Sequence, residues 1–332
     1  MHPKATIIKD SINSATEDRL TTFVVTYPRF INAEVLRHRM LSFSSASSRA
    51  IPLKKVIKSI QENPAEPVFW GANQSGMQAS IELDDSNRSH KSVPSISYIE
   101  LSENGQFLGI ELSHIPLGEV SDRKYAKEIW KSAQNAAIAY AKALESIGLH
   151  KQIANRILEP FQNITLIITG TDWENFFKLR AAPEAQPEFR ELAEEMLSEY
   201  NKSQPETIKA HLSHADIATA KCSDLLLDVQ EGWHIPFSDR MPEHLTWREK
   251  LKVAVARCAR ISYMTQDGVI DPPKDFELYN RLTQSGHYSP CEHVALAVRD
   301  SAYVGNFKGW YQLRKMLPNE NQKDSRVIKK AV

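Results

Sequence analysis

The chain has 332 residues, 42% hydrophobic and 25% charged, and its 41 basic side chains balance 41 acidic ones. That length supports one large core or two modest ones, while zero net charge excludes a global field for holding nucleic acid or an anionic membrane. There is neither an apolar run long enough to span a bilayer nor an apolar stretch behind Met1-His2-Pro3-Lys4-Ala5, so the expectation is a cytoplasmic protein with a small-molecule substrate.

Thr21 to Tyr27 is β-branched and aromatic and reads as a strand that Pro28 ends; Phe30 to Arg39 has helical spacing. It leads into Arg37-His38-Arg39-Met40-Leu41-Ser42-Phe43-Ser44-Ser45-Ala46-Ser47-Ser48-Arg49, which places three arginines, a histidine and five serines in thirteen positions. Guanidinium groups bind phosphate bidentately, and short hydroxyls complete the oxygen contacts, so this helix-to-loop junction is a candidate anion site. Its plainer reading is a polar surface junction held by ion pairs.

Ser95 to Leu112 alternates apolar and polar residues around Asn104-Gly105, the signal of an exposed β-hairpin. From Ser121 to Ser146 apolar residues recur every three or four positions, with Ser121 placed to cap and Gly148 to terminate a helix. A second long helix is expected from Asp172, burying Trp173, Phe176, Phe177 and Leu179 and continuing through Phe189, Leu192 and Met196. On it, Arg180 could merely pair with Glu184.

Periodicity weakens from Asn201 to Thr246, which suggests a connecting region. Within it, His211, His214 and Asp216 have metal-ligand chemistry, but two histidines one helical turn apart are more often solvated, and no metal is assigned. Lys250 to Tyr263 is helical, Asp271-Pro272-Pro273 is a turn, Phe276 to Ser285 is a short helix closed by Gly286, and Ala295 to Val298 is a strand. Cys222, Cys258 and Cys291 are too scattered for a disulfide framework or a zinc site and read as reduced thiols. Asp172 to Arg180 also echoes Asn306 to Arg314 in aromatic placement, which makes Arg314 a second candidate for any role given to Arg180.

The order Arg37-His38-Arg39, seven residues, Ser47, one residue, Arg49 resembles the signature of the flavin-dependent thymidylate synthases (ThyX-type). Three other segments are similar to that family: Ala259-Arg260-Ile261-Ser262-Tyr263 with Gly286-His287-Tyr288-Ser289-Pro290-Cys291-Glu292-His293; Asn175 to Arg180 with Ala185 to Arg190; and Arg156-Ile157-Leu158-Glu159-Pro160, where Glu159 replaces the leucine of the family's Arg-x-x-Leu-Pro. The segments around Ser262 and His287 normally precede the arginine motif, so the chain looks circularly permuted, in the manner of a diverged, phage-type member. The stretches from Lys54 to Gly118 and from Asn201 to Thr246 have no close counterpart.

The resemblance implies an α/β (α+β) fold with a central antiparallel sheet flanked by long helices and an inserted hairpin over 83–117. Residues 1–200 and 246–332 would pack into one domain around a 201–245 connection. It implies FAD as cofactor, methylenetetrahydrofolate and NADPH as co-substrates, and C5 methylation of a pyrimidine deoxynucleotide, dUMP, in a homotetramer with sites between subunits. Arg180 falls on the family's activating arginine. Glu34, Arg37, Ser45, Ser47, Ser48, Arg49, Arg156 and Arg180 would hold the nucleotide, and Arg37, His38, Arg39, Asn175, Ser262, His287, Ser289 and Glu292 the flavin. The family carries Asn and Glu where this chain has Ser44 and Ser45, which keeps dCMP, and hydroxymethylation for DNA modification, as alternatives. Two rivals stand beside this reading: a folate-only enzyme with Cys291 as nucleophile, His293 assisting, and a non-catalytic flavin- or nucleotide-binding module.

Overall fold

The computed structural model describes residues 2–104, 107–219, 229–317 and 320. The first sheet is built from β1 (Lys4–Asn13), β2 (Arg19–Pro28), β3 (Ser42–Ser45), β6 (Asn163–Gly170) and β7 (Glu206–Ile208), in the order β3-β6-β2-β1-β7. Every neighbour pair is antiparallel except β1 with β7. β6, the strand beside the serines, is a β-branched run absent from the expectations above, as is β1.

Strand periodicity divides this sheet into two apolar faces. Phe23, Val25 and Tyr27 of β2 and Ile164, Leu166 and Ile168 of β6 enter one core with Trp173, Phe176, Phe189, Leu192 and Met196. Val24 and Ile167, one residue out of step, pack instead on a second core with Val253, Ala254, Cys258 and Leu296. Successive side chains of a strand point to opposite faces, so a sheet covered on both sides must be apolar in both registers.

The second sheet joins β8 (Trp233–His234), β9 (Ala295–Ala297), β10 (Tyr303–Val304), β11 (Phe307–Lys308) and β12 (Trp310–Gln312), in the order β11-β10-β12-β9-β8. It is fastened to the first by Asn13, whose side-chain amide donates to the carbonyls of Val298 (2.8 Å) and Gly309 (2.7 Å). Gly309 has φ +72°, and a Cβ there would lie 2.4 Å from Asp18 Oδ2, so only glycine fits that junction. β9 is thus in a different sheet from β2, but Leu20 of β2 packs with Ala295 and Ala297 in one cluster. Segment 201–245 supplies β7 to the first sheet and β8 to the second.

The inserted hairpin is longer than its alternation suggests: among the described residues, β4 (Arg88–Leu101) pairs only with β5 (Phe107–Ser121). Gly105, half of the expected turn, lies outside the described residues, as does Cys222. Helix Asp122–Ser146 follows, capped as expected by Ser121, whose hydroxyl accepts from the Lys124 amide, and stopped before Gly148 at φ +84°.

Four expectations are corrected. The helix expected from Asp172 is two helices, Trp173–Arg180 and Pro187–Lys202, because Pro183 and Pro187 cannot continue the hydrogen-bond ladder between them. The expected helix over Phe30 to Arg39 is a 3₁₀ turn, Arg29–Ile31, and one short helix, Asn32–Val35, and the serines beyond it form β3 rather than a loop. Asp271-Pro272-Pro273 opens a helix, Pro272–Gln284, with Asp271 as its cap, which is where proline's missing N–H costs nothing. Finally, Asp172 to Arg180 is helical where Asn306 to Arg314 is two short strands before a helical turn, so the echo has no shared structure behind it.

Candidate active site

Segments far apart in sequence meet around a cavity of about 360 Å³. β3 contributes Phe43, Ser44 and Ser45; the end of helix Trp247–Arg260 and its 3₁₀ extension contribute Cys258, Ala259, Ser262 and Tyr263; the turn before β9 contributes His287, Ser289 and Pro290. Leu278, Arg281 and Leu282, at helical spacing on Pro272–Gln284, close the wall. Of the residues expected at the flavin, Ser262, His287 and Ser289 are therefore together. The pocket size is within the range of small-ligand sites, and its hydroxyls, imidazole and guanidinium beside Phe43 and Tyr263 suit a polar, phosphate-bearing molecule with a flat ring.

The serine loop is tied to this wall. The Ser47 amide donates to the Ser262 carbonyl at 3.1 Å, and the Ser262 hydroxyl donates to the Ser45 carbonyl at 3.5 Å. From the other side, the Asn155 amide donates to the carbonyls of Ser48 (2.6 Å) and Ile51 (3.0 Å), and Lys151 donates to that of Ala50. Ser48 is buried, whereas Arg49 is exposed.

Beyond the loop, Ser48 Oγ donates to Glu159 Oε1 at 2.8 Å, the oxygen that also meets Arg156 Nη1 (2.8 Å) and Arg29 Nη2 (3.0 Å). Arg156 and Ser48, both expected at the nucleotide, are thus brought together by the departure from the family pattern. Arg29 carried no sequence signal.

Arg180 is at the opposite end of β3. Its Nε donates to His38 Nε2 at 2.8 Å, and its guanidinium carbon lies 4.9 Å from the centre of the Phe189 ring. Helix Trp173–Arg180 ends at this residue, so Glu184 is not one helical turn along from it, and no ion pair joins the two among the described residues. Burial and the Arg180 charge pull His38 down to about 4, which keeps its ring neutral and able to accept. Its edge-on contacts with Phe176 and Phe189 fix the ring plane. No hydrogen bond or ion pair joins Arg180 to Ser47, Ser48 or Arg49 among the described residues.

The remaining expected residues are dispersed. Arg37, Arg39 and Asn175 are exposed; Glu34 is half-buried in the short helix before them, with one carboxylate oxygen enclosed and without a partner among the described residues. Glu292 is ion-paired to Arg314, which also holds Glu320, so Arg314 is engaged in a carboxylate cluster and is no second Arg180. Cys291 is buried, and burial pushes its thiol up to about 12. A thiol enclosed and shifted in this direction is poorly suited to act as a nucleophile. His214 is bound to Asp300, His211 lies 3.7 Å from Glu231, and among the described residues no three ligating side chains converge on a metal position.

A hydrogen-bonded relay runs under the pocket. Ser44 Oγ contacts His293 Nε2 (2.9 Å), His293 Nδ1 contacts Thr169 (2.8 Å), Thr169 contacts Thr22 (2.8 Å), Thr22 contacts His234 Nε2 (2.8 Å), and His234 Nδ1 contacts Ser11 (2.9 Å). All six side chains are buried. Burial draws His293 down to about 3 and His234 well below its ordinary value. A neutral imidazole offers one donor and one acceptor and a hydroxyl one hydrogen, so every link is satisfied when all donors point the same way.

The fold and site define a mixed α/β protein with a small, hydroxyl-lined polar pocket and guanidinium groups close by. Residues 5–206 match the family model "Thymidylate synthase complementing protein" (Thy1), and the chain belongs to this family, that of the flavin-dependent thymidylate synthases. Two solved structures are similar to it. One is a UMP/dUMP methylase, PolB, from Streptomyces cacaoi bound with 5-Br UMP, at 17% identity over 60% of this chain and 89% of that one, TM-score 0.36. The other is thymidylate synthase X from Helicobacter pylori with FAD and dUMP, at 15% identity over 55% and 67%, TM-score 0.31. A comparison with curated proteins finds no match. Among the described residues, no helix is long and apolar enough to cross a membrane.

Proposed function

We propose that this protein methylates C5 of a pyrimidine deoxynucleoside monophosphate, dUMP to dTMP, using FAD, methylenetetrahydrofolate as carbon donor and NADPH as reductant. The observation that carries the reading is the convergence of Ser45, Ser262, His287 and Ser289 on one cavity, next to a serine loop that faces arginines. That donor set fits a flavin. Ser262, His287 and Ser289, with Arg37 and Arg39 at the surface, would hold it, and when bound it supplies the hydride chemistry that side chains lack.

C5 of a pyrimidine becomes nucleophilic only when negative charge spreads over the ring. A buried Cys291 favours stabilisation of that charge by a cation over addition of a thiolate. Arg180 is suited to this role, because His38 fixes Nε, Phe189 steadies the plane, and among the described residues no hydrogen bond takes up the terminal nitrogens that would face the pyrimidine O2 and N3 edge. A guanidinium held ready in this way stabilises developing charge without reorganising. Ser47, Ser48, Arg49 and Arg156 would take the phosphate. Arg180 and the serine loop stand at opposite ends of β3, which is consistent with sites completed between subunits of a homotetramer. The altered motif order is consistent with circular permutation.

Release of tritium from C5-labelled dUMP with folate and NADPH, together with product mass, tests the activity. Arg180→Ala should lower turnover by about 10²–10³-fold with flavin retained; undiminished turnover refutes the assignment. Ser47→Ala should weaken nucleotide binding and leave flavin binding intact. A second reading, dCMP as substrate with methyl or hydroxymethyl product, is favoured by one observation: Ser44 and Ser45 stand where the family carries Asn and Glu, and the Ser44 hydroxyl is engaged by His293, so neither position offers an amide or a carboxylate. The same assay with C5-labelled dCMP separates the two. A yellow protein that turns over neither would be the binding module.

A further inference from the structure

We infer that Glu159 is a resident anion in the phosphate site: its carboxylate occupies Ser48, Arg156 and Arg29 in the free protein and must be displaced when a monophosphate binds. The inference rests on the nucleotide reading above and adds to it a residue that sets affinity for the charged end of the substrate.

Three donors converge on a single carboxylate oxygen, Glu159 Oε1: the Ser48 hydroxyl at 2.8 Å, Arg156 at 2.8 Å and Arg29 at 3.0 Å. One oxygen has two lone pairs, so the three donors share an acceptor too small for them, whereas the three terminal oxygens of a phosphate monoester would give each its own. Two guanidinium groups around one carboxylate also leave the cluster with a net positive charge, the polarity that a dianion needs. The donors are built into the fold. Ser48 is 3% exposed and its backbone is clamped by Asn155, and the Arg29 backbone amide is fixed to the Gln162 carbonyl at 2.8 Å. Glu159 itself has an exit, since its side chain is 26% exposed and Arg156 is 51% exposed.

A carboxylate there does two opposing things. It keeps two arginines from repelling each other while the site is empty, and it competes with the incoming phosphate. Removing its charge while keeping its shape should therefore strengthen monophosphate binding, where the loss of an ordinary structural ion pair would weaken it.

The experiment is titration calorimetry of the full-length protein and its Glu159→Gln variant with dUMP and with deoxyuridine. The expected result is a gain of about tenfold in dUMP affinity for the variant, with deoxyuridine affinity unchanged. Glu159→Asp, which keeps the charge but retracts it by one methylene, should give a smaller gain and serves if the glutamine variant folds poorly. Inorganic phosphate should raise the melting temperature of Glu159→Gln more than that of the unaltered chain. If the unaltered protein binds dUMP and the variant binds it equally or more weakly, Glu159 only braces Arg156 and the inference fails while the nucleotide reading stands. If neither protein binds dUMP, deoxyuridine or dCMP, the nucleotide reading itself fails and takes this inference with it.

Discussion

Two polar networks flank the serine segment, and they are made of different material. Ser44 leads inward to a relay of neutral hydroxyls and imidazoles, all buried, that crosses β3, β6, β2 and β1 and ties in His234 from β8 and His293 from the turn before β9. Ser48, four residues on, leads outward to a charged cluster of Glu159, Arg29 and Arg156 with water at its edge. Inside the protein, an unmet hydrogen bond costs its full desolvation penalty, so the inner network is fixed. At the surface, water replaces a lost partner and ion pairs are worth little, so the outer network can exchange partners with a ligand. Rigidity sits under the pocket and adaptability at its charged rim.

Substitution should separate the two sharply. His293→Leu strands Ser44 and takes from Thr169 one of its two partners, leaving it Thr22, and is expected to cost about 1–3 kcal/mol in urea unfolding. A loss below about 1 kcal/mol would mean that the relay is not continuous. The next effect is acid sensitivity. His234 and His293 are held below the ordinary histidine value near 6.5, so as pH falls the unfolded chain takes up protons first. The stability they contribute is complete above about pH 6.5 and is drawn down as pH drops towards 4, by up to about 1.4 kcal/mol per pH unit for each buried ring. Urea midpoints at pH 7 and 5.5 check this, and the slope should be shallower in His293→Leu. Over a lower window, as pH falls through about 4, His38 gains a proton, stops accepting from Arg180 and repels it. Nucleotide affinity measured from pH 6 to 4 should fall in the unaltered protein more steeply than in His38→Gln, whose amide oxygen can still accept. The smallest effect on stability belongs to the outer network: Glu159→Gln should shift unfolding by less than about 1 kcal/mol while changing dUMP affinity. A large loss of stability there would make the two networks alike and end the contrast.

Much of this was legible in the sequence. The β2 strand, the capped helix Asp122–Ser146 and the hairpin follow from local rules of period, capping and turn chemistry, which act within a few residues of chain, and the family is read from the resemblance of several motifs taken together. Ser262, His287 and Ser289 could be named together because their segments match one pattern, and they do line one cavity. The break at Pro183 and Pro187 and the helical start at Pro272 obey the same proline chemistry, but apolar spacing pointed to one continuous helix in the first case and the Asp-Pro-Pro run to a turn in the second.

Other features had no local signal. Arg29 is one arginine among many until the 3₁₀ turn Arg29–Ile31 and the 155–161 segment set its guanidinium on Glu159. His234 and His293 lie 59 positions apart in the chain, and only the stacking of two sheets makes them neighbours of the same pair of threonines. Pattern determined which residue types this protein places in strands, helices and anion-binding loops, because those preferences are set by backbone geometry. Which side chains share a proton, which carboxylate occupies which arginine, and which thiol is too deeply buried to react were decided by the tertiary structure, because burial and partner distance are properties of packed surfaces and not of neighbours in sequence.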